Sequence, residues 1–185
     1  ITRDVASRPD LDVYGLRPFL SCKYLFDYRG DGKSGSLNSF VDENGNTRMP
    51  GWKYLRTQNR FDIYRNEYYI PMGYTFDKFI AEEEFDLVTN AHKSEALLYA
   101  MVLPRDLMKK YSDITGYSDE KYKLLYGKHP EDYDSITEKF DYSNSDYKKV
   151  CNLRALNSCT SFEYTDNGFK AVYNNKKGDD NLLFF

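Results

Sequence analysis

The sequence predicts an α+β fold in which an antiparallel β-sheet of hairpins and a meander packs with several short helices. Residues 61–66 place Phe61 and Ile63 on one face and Asp62 and Asn66 on the other, which is typical of a strand. Asn44-Gly45 and Asp166-Asn167-Gly168 are hairpin-turn signals, because Asn and Gly adopt left-handed backbone conformations readily. An apolar stripe at helical spacing is formed by Leu97, Leu98, Met101 and Val102.

Length and composition indicate one domain, which we place at residues 1–185. A chain of 185 residues can bury one substantial core. Tyr and Phe supply most of an aromatic content of 17%, and both residue types favour strands. The net charge is −3 and no basic segment is clustered in the sequence, which argues against a nucleic-acid partner.

No stretch of the sequence reaches the length of a membrane span. The longest unbroken apolar run covers residues 96–103, well short of the roughly 20 residues that cross a bilayer. The first residues lack the basic segment and hydrophobic stretch of a signal peptide, so none is expected within this sequence.

The first third of the chain is predicted to hold a short helix, a strand and a hairpin. Residues 14–20 fit a short helix, and residues 21–27 fit a buried strand because they are rich in β-prone side chains. Residues 37–41 and 49–55 flank Asn44-Gly45, and we expect them to pair with each other.

Residues 61–79 are predicted to form a meander. After the strand at residues 61–66, Asn66-Glu67 is a natural corner because Asn tolerates the conformation of a tight turn. Residues 68–70 fit a second short strand, which the following proline ends because proline has no amide hydrogen for the ladder. Residues 74–76 are a third β-prone piece.

Short helices are predicted in the middle of the chain. Residues 77–88 mix acidic and apolar side chains and fit one or two helical turns. Ser94 is placed as the N-cap of a helix over residues 95–103. Residues 105–153 are expected to be a helical and loop excursion that begins with a helix over residues 105–111.

The last part of the chain returns to strands. Residues 160–164 and 169–173 alternate around the Asp166-Asn167-Gly168 turn and predict a hairpin. Residues 181–185 are expected to add a third strand. A three-stranded antiparallel sheet with one buried face is the smallest that is stable alone.

The central sequence resembles a known family of membrane proteins. The segments IYRNEYYIPMGYTFDKFI, EEEFDLV and EALLYAMVL resemble the extracytoplasmic part of YfhO-type bacterial membrane proteins. The positions that carry the resemblance are Tyr64, Asn66, Pro71, Gly73, Tyr74, Phe76 and Asp77. Residues 14–26 and 154–185 look like the flanking segments of that family, whereas residues 105–154 match only loosely.

The resemblance implies a setting for the chain. YfhO-type proteins span the membrane many times and are classed with glycosyltransferases of the GT-C kind. The chain would then be a domain excised from a larger protein, on the extracytoplasmic face of the cell membrane of a Gram-positive bacterium. The whole protein would transfer a sugar from a polyprenyl-phosphate carrier to a cell-envelope polymer such as teichoic acid.

The resemblance also implies the partners and a non-catalytic role. The partners would be the protein's own transmembrane domain and a cell-wall polysaccharide or a polyprenyl-linked sugar. The family's catalytic acid lies in the membrane part, so we assign no catalytic residue and no cofactor here and expect a scaffold or acceptor-binding module. Aromatic rings stack on sugar C–H bonds and carboxylates bind hydroxyls. The candidate carbohydrate contacts are therefore Trp52, which could be exposed at the start of a strand, and Asp62, Tyr68, Tyr69, Tyr74 and Asp77.

Two alternatives of other classes stay open. A secreted glycan hydrolase would need two inward carboxylates in a cleft, roughly 5 to 9.5 Å apart. A surface adhesion or carbohydrate-binding module is suggested only by the tripeptide Arg29-Gly30-Asp31, for which a solvated turn is the ordinary interpretation.

The cysteines and acidic loops give weak evidence for metals or disulfides. Cys22, Cys151 and Cys159 are an odd number without regular spacing, so they do not form a disulfide framework, although a Cys151–Cys159 bridge stays open. Residues 42–53 imitate the start of a calcium loop, but Thr47 and Lys53 stand where Gly and Glu are required. We therefore predict no metal site.

Overall fold

The computed structural model describes residues 10–29, 40–76, 78–115, 140–173 and 182–184. Their architecture is α+β, as the sequence predicts: antiparallel strand pairs lie beside several short helices. The strands and helices follow in the order α1 (Leu16–Phe19), β1 (Tyr24–Tyr28), β2 (Trp52–Gln58), β3 (Phe61–Asn66), β4 (Tyr74–Phe76), β5 (Phe79–Ala81), α2 (Glu82–Leu87), α3 (Lys93–Tyr99), β6 (Met101–Leu103), α4 (Arg105–Lys110), α5 (Ser112–Thr115), α6 (Asn144–Leu156), β7 (Ser161–Thr165), β8 (Gly168–Val172) and β9 (Leu182–Phe184).

The largest sheet has three antiparallel strands in the order β1-β3-β2. The predicted strand at residues 61–66 is confirmed as β3, and it is the central strand. Ile63 faces Phe26 of β1 on one side and Arg56 of β2 on the other. The turn between β2 and β3 consists of Asn59 and Arg60, whose φ angles of 49° and 65° are both left-handed. This is the backbone pattern of a tight hairpin turn that matches the strand twist.

The strand pairing predicted for residues 68–70 is wrong. These residues do not fold back on β3, because Asn66 Oδ1 accepts a hydrogen bond from the Tyr68 amide and turns the chain out of the sheet. The Asn44-Gly45 turn is present, with Gly45 at a φ of 80°, and among the described residues it closes one bridge between Val41 and Thr47. Residues 37–39 of the predicted hairpin lie outside the described residues, and the residues after the turn form β2, which pairs with β3.

Helix α3 begins and ends earlier than the helix predicted over residues 95–103. The helix runs over Lys93–Tyr99 with His92 at its N-cap, and Ser94 lies buried inside it, so the prediction of Ser94 as N-cap is wrong. Met101–Leu103 leaves the helix and pairs in parallel with Phe79–Ala81. Pro104 explains the change, because a residue that precedes proline is disfavoured in helical conformation and favoured in an extended one.

Helix α6 begins within the predicted excursion at residues 105–153 and ends at Leu156. Sequence reasoning did not predict it, because its sequence is mostly polar. Ser143 caps the helix by accepting a hydrogen bond from the Asp146 amide at 3.2 Å. Tyr147, Cys151 and Arg154 follow at helical spacing and are all buried. The expected helix over residues 105–111 is confirmed as α4, and residues 116–139 lie outside the described residues.

Three apolar clusters fill the interior. The first lies between α3, α6 and β4 and consists of Ile70, Tyr74, Phe76, Leu98, Tyr147 and Cys151. The second includes Ala96 of α3 and Ala100 just after it, and consists of Ile80, Val88, Ala96, Ala100 and Phe140. The third lies under the three-stranded sheet and consists of Phe40, Met49, Trp52 and Tyr64.

The predicted hairpin near the end of the chain is confirmed as β7 and β8, with Tyr164 opposite Phe169. The expected third strand, β9, does not join this hairpin. Its residues pair with β4, Leu183 lying opposite Thr75. The prediction of a three-stranded C-terminal sheet is therefore wrong, because β4 offers β9 a strand edge that lies closer to the core.

None of the helices in the described part of the chain is both long and apolar enough to cross a membrane.

Candidate functional site

The two faces of the three-stranded sheet have different environments. The strand register places Leu25, Tyr64 and Trp52 on one face, where they pack in the third apolar cluster. The opposite face, which we call the outer face, carries Phe26 and Ile63. Phe26 is 53% exposed, so the outer face is open to solvent although it is apolar.

A groove with a volume of about 470 Å³ lies on the outer face. Three aromatic side chains come from β1 and β3, two aliphatic side chains come from β2 and β3, and three polar side chains come from β2 and its turn. The residues that line the groove are Tyr24, Phe26, Leu55, Arg56, Gln58, Asn59, Phe61 and Ile63. We call this feature the outer groove.

Local irregularities of the backbone shape the outer groove. The register of β2 against β3 shifts between Tyr54 and Arg56, so Leu55 is an extra residue that bulges from the strand. The bulge lets both Leu55 and Arg56 line the groove. At the end of β2 the left-handed Asn59 also lines it.

The polar groups of the outer groove are suited to hydrogen bonding with a ligand. Arg56 makes no salt bridge and no side-chain hydrogen bond with any residue in the described ranges, and Gln58 and Asn59 add two amide groups. A guanidinium donates hydrogen bonds, while an amide both donates and accepts them. Exposed rings beside such groups bind ligands that are apolar on one side and polar on the other.

Charged side chains are separated between the two faces of this sheet. The outer face carries Lys53, Arg56 and Arg65, whereas Asp27 and Asp62 lie opposite each other on the inner face. Two of the outer cations share one carboxylate, since Lys53 and Arg65 lie 3.0 Å and 3.6 Å from Glu67. That single negative charge compensates one of the two positive charges.

Asp62, one of the predicted sugar contacts, has a structural role at the inner face. It accepts hydrogen bonds from Arg29 Nε at 2.7 Å and from the Thr57 hydroxyl. Burial alone would raise the pKa of Asp62, but these hydrogen bonds outweigh it and hold the pKa below its ordinary value. The carboxylate therefore stays ionised and ties β2 to the end of β1.

Trp52 and Tyr74 are core residues. Trp52 is only 3% exposed and packs edge-to-face on Phe40 with ring centroids 5.6 Å apart, so the exposure that its position at the start of a strand allowed is not found. Tyr74 is 1% exposed and donates a hydrogen bond to the carbonyl of Phe19 at 3.0 Å. Neither ring can present a face to a ligand from solution, because the neighbouring side chains already cover it.

Tyr68 and Tyr69, which were predicted to contact a sugar, do not line the outer groove, although Tyr69 lies close to it. Tyr68 packs on Tyr147 with ring centroids 5.7 Å apart. Tyr69 is half-buried, and the Lys23 ammonium lies 5.3 Å from its ring and 5.8 Å from the ring of Tyr24. Lys23 thus connects Tyr69 to the rim of the groove, while Asp77 lies outside the described residues.

Sequence reasoning missed the residues that form the outer groove. The signal was present in β1, whose sequence YLFDY has apolar side chains on both faces. The β-prone composition of residues 21–27 predicted a buried strand, and this prediction is wrong, because β1 is an edge strand with Tyr24, Phe26 and Tyr28 exposed. The structure covers one face of this strand and leaves the other open.

Cysteine and metal chemistry add nothing to this site. The three cysteines are free thiols, so the bridge left open between Cys151 and Cys159 is not formed. Burial raises the pKa of the Cys151 thiol to about 12. No group of three or more His, Cys, Asp or Glu side chains within the described ranges is placed to hold a metal ion.

No protein-family model, curated protein or solved structure matches this chain. The resemblance to YfhO-type proteins therefore rests on the motif residues alone and stays a prediction.

Proposed function

We propose that this chain is a non-catalytic extracytoplasmic module of a multi-spanning glycosyltransferase-like membrane protein, and that its outer groove binds a glycan. The motif at residues 63–103 supports the family assignment, and the acceptor that it implies is a cell-envelope polymer such as teichoic acid. The single observation that carries the binding role is the outer groove, with exposed rings beside a guanidinium and two amides.

The chemistry of the outer groove fits a sugar chain. Tyr24 and Phe26 lie two residues apart on one strand, so their rings are spaced by about 7 Å along β1. Rings at that spacing offer C–H stacking surfaces to successive units of a chain, while Gln58 and Asn59 reach hydroxyl groups. A shallow site of this size is expected to bind with a dissociation constant of about 0.1 to 1 mM, since few groups are fully desolvated.

The outer groove does not favour the hydrolase alternative. Hydrolysis of a glycosidic bond needs two carboxyl groups on either side of the bond. Among the described residues the groove lining holds no carboxylate, and Asp27 and Asp62 lie on the other face of the sheet. The adhesion alternative is also not favoured, because Arg29 is engaged by Asp62.

The binding role can be tested by titrating the 185-residue chain with teichoic-acid fragments and following backbone amide shifts. Trp52 fluorescence is a poor probe because Trp52 faces away from the groove. We expect shifts in β1 and β2, and weaker binding by at least fivefold in F26A and Y24A. Y164A is the matched control, because Tyr164 is 79% exposed on the separate β7–β8 hairpin. No shift at millimolar ligand, or equal loss in Y164A, would refute the role.

A scaffold role is the second candidate, and the β7–β8 hairpin favours it. Tyr164 and Phe169 lie side by side on this hairpin and are both exposed. Exposed apolar side chains that lie together are typical of a surface that contacts another protein segment, here the parent's transmembrane domain. Substitution of Tyr164 and Phe169 by Ser in the full-length parent should then weaken cross-linking between the two parts, while F26S should not.

A further inference from the structure

We infer that Arg56 makes the outer groove selective for a glycan that carries anionic groups, and that Arg56 is the residue that sets this specificity. The inference rests on the proposed glycan-binding function and adds the charge of the ligand and the side chain that recognises it. It is argued from the placement of charges on the sheet.

The first step is the sign of the charge on the outer face. Every side chain charged at neutral pH that the described register places there is a cation, namely Lys53, Arg56 and Arg65, although the whole chain carries a net charge of −3. The acidic side chains of the same three strands, Asp27 and Asp62, lie on the inner face. A ligand on the outer face therefore meets a positive field in an acidic protein.

The second step is the difference between the three cations. Lys53 and Arg65 share the carboxylate of Glu67, which compensates one of their two positive charges within the protein. Arg56 forms no such pair among the residues that the structure describes, and it is the one cation of the three that lines the groove. Its charge is therefore available to a bound ligand.

The third step is the surroundings of Arg56. It lies opposite Ile63, beside Leu55, and the rings of Tyr24, Phe26 and Phe61 form the rest of the wall. These apolar neighbours exclude water when a ligand binds, which strengthens an ion pair relative to an exposed one. The planar guanidinium also matches two oxygens of a phosphate or a carboxylate.

A glycan fits these observations better than a nucleic acid. Strand-tracking nucleic-acid sites use a continuous basic groove. The outer groove offers a single uncompensated guanidinium, together with two amides suited to hydroxyl groups. A ligand that carries an anionic group beside hydroxyl groups therefore matches the groove.

The test compares two ligands on the 185-residue chain by calorimetry at low and moderate salt. One is a glycerol-phosphate oligomer that carries a hexose on each unit, and the other is a neutral hexose oligomer of the same ring count. We expect the phosphate-bearing ligand to bind at least fivefold more tightly at 20 mM salt, and this preference to shrink at 300 mM salt because salt screens the pair. R56Q should abolish the preference and leave the affinity for the neutral oligomer within twofold.

R65Q is the matched control, because Arg65 lies on the same face but is paired with Glu67. It should keep the preference for the phosphate-bearing ligand. Equal affinities of the wild type for both oligomers, with F26A still weakening both, would overturn the selectivity inferred for Arg56 while leaving the proposed function intact. Failure of both oligomers to bind would refute the proposed function itself.

Two further ligands test whether the groove recognises the anion as part of a glycan, as free phosphate or as part of a nucleic acid. Inorganic phosphate alone, and a single-stranded DNA oligomer, should each bind at least fivefold more weakly than the glycerol-phosphate hexose oligomer. Equal binding of phosphate alone would show that the groove recognises an anion without a sugar, and equal binding of DNA would assign it to nucleic acid. Either result would overturn the inference.

Discussion

Glu95 is a carboxyl group enclosed in the interior at the junction of α1, α3 and α6. It is 1% exposed, Ser94 donates a hydrogen bond to its Oε2 at 2.8 Å, and its Oε1 has no hydrogen-bond partner among the described residues. Burial raises the pKa of Glu95, and the hydrogen bond from Ser94 offsets only part of that rise. The fold therefore favours the protonated form.

This burial predicts a pH dependence of stability. Because the pKa is higher in the folded state than in the unfolded state, the folded state binds the extra proton. The free energy of unfolding should then fall as the pH rises from the unfolded pKa through the folded pKa. E95Q removes the titration and should be more stable than the wild type at pH 8, by about 1 to 3 kcal/mol. Denaturant unfolding at pH 5 to 8 measures this.

E43Q is the control for Glu95, since Glu43 lies exposed in a loop. Its stability curve should run parallel to that of the wild type. Parallel curves for E95Q and the wild type would show that burial of this carboxyl has no energetic effect.

Gly51 lies at a position where both backbone and space require glycine. Its φ is 79°, and an added Cβ would overlap the ring of Tyr68. Gly45 has nearly the same φ, 80°, but no atom lies within 4 Å of its added Cβ. A comparison of alanine substitutions at the two glycines therefore separates the cost of backbone strain from the cost of steric crowding.

G45A should therefore lose only the backbone contribution, about 1 kcal/mol, whereas G51A should lose about 3 kcal/mol or more. Urea unfolding of the two variants measures the difference. Equal losses would mean that Tyr68 moves aside without penalty.

The turn between β2 and β3 is the element that positions the end of the outer groove. Asn59 and Arg60 are both left-handed, which Asn tolerates and an Arg side chain does not favour. Arg60 is exposed, so its side chain has no packing role that would compensate.

R60G should stabilise the chain by about 0.5 to 1 kcal/mol, because Gly is the preferred residue at the second position of this turn. N59A should destabilise it by a similar amount. Thermal unfolding of both variants checks the signs, and a loss of stability in R60G would indicate that the Arg60 side chain stabilises the turn.

At the scale of the molecule, stability is unevenly distributed. β3 is hydrogen-bonded on both sides and carries Tyr64 into the core. The β7–β8 hairpin pairs only with itself among the described strands, and its aromatic side chains, including Tyr164 and Phe169, face outward. An isolated hairpin has little stability of its own.

Amide hydrogen exchange should reveal this difference. We expect β3 to exchange only on global unfolding, and β7 and β8 to open at a free energy at least about 2 kcal/mol lower. Equal protection in both regions would show that the hairpin is held by contacts beyond its own two strands.

Several elements could be predicted because their signals are local. The alternation of β3 and the Asp166-Asn167-Gly168 turn of the β7–β8 hairpin depend only on neighbouring residues, and both are confirmed. Helix α6 was missed because its buried side chains are Tyr147, Cys151 and Arg154, which give no apolar stripe. The burial of Trp52 could not be decided from the sequence, because the cluster that buries it, around Phe40, forms only in three dimensions.

By itself the sequence determined the fold class, the strand at residues 61–66 and the turns at Asn44-Gly45 and Asp166-Asn167-Gly168, because alternation and left-handed turn residues constrain the backbone within a few positions. Only the tertiary structure decided which strands pair and which face of the sheet stays open. Pairing joins segments far apart in the chain, such as β1 with β3 and β4 with β9, and a strand sequence does not specify its partner. The outer groove exists for that reason, since residues from three strands form it and none of them encodes it alone.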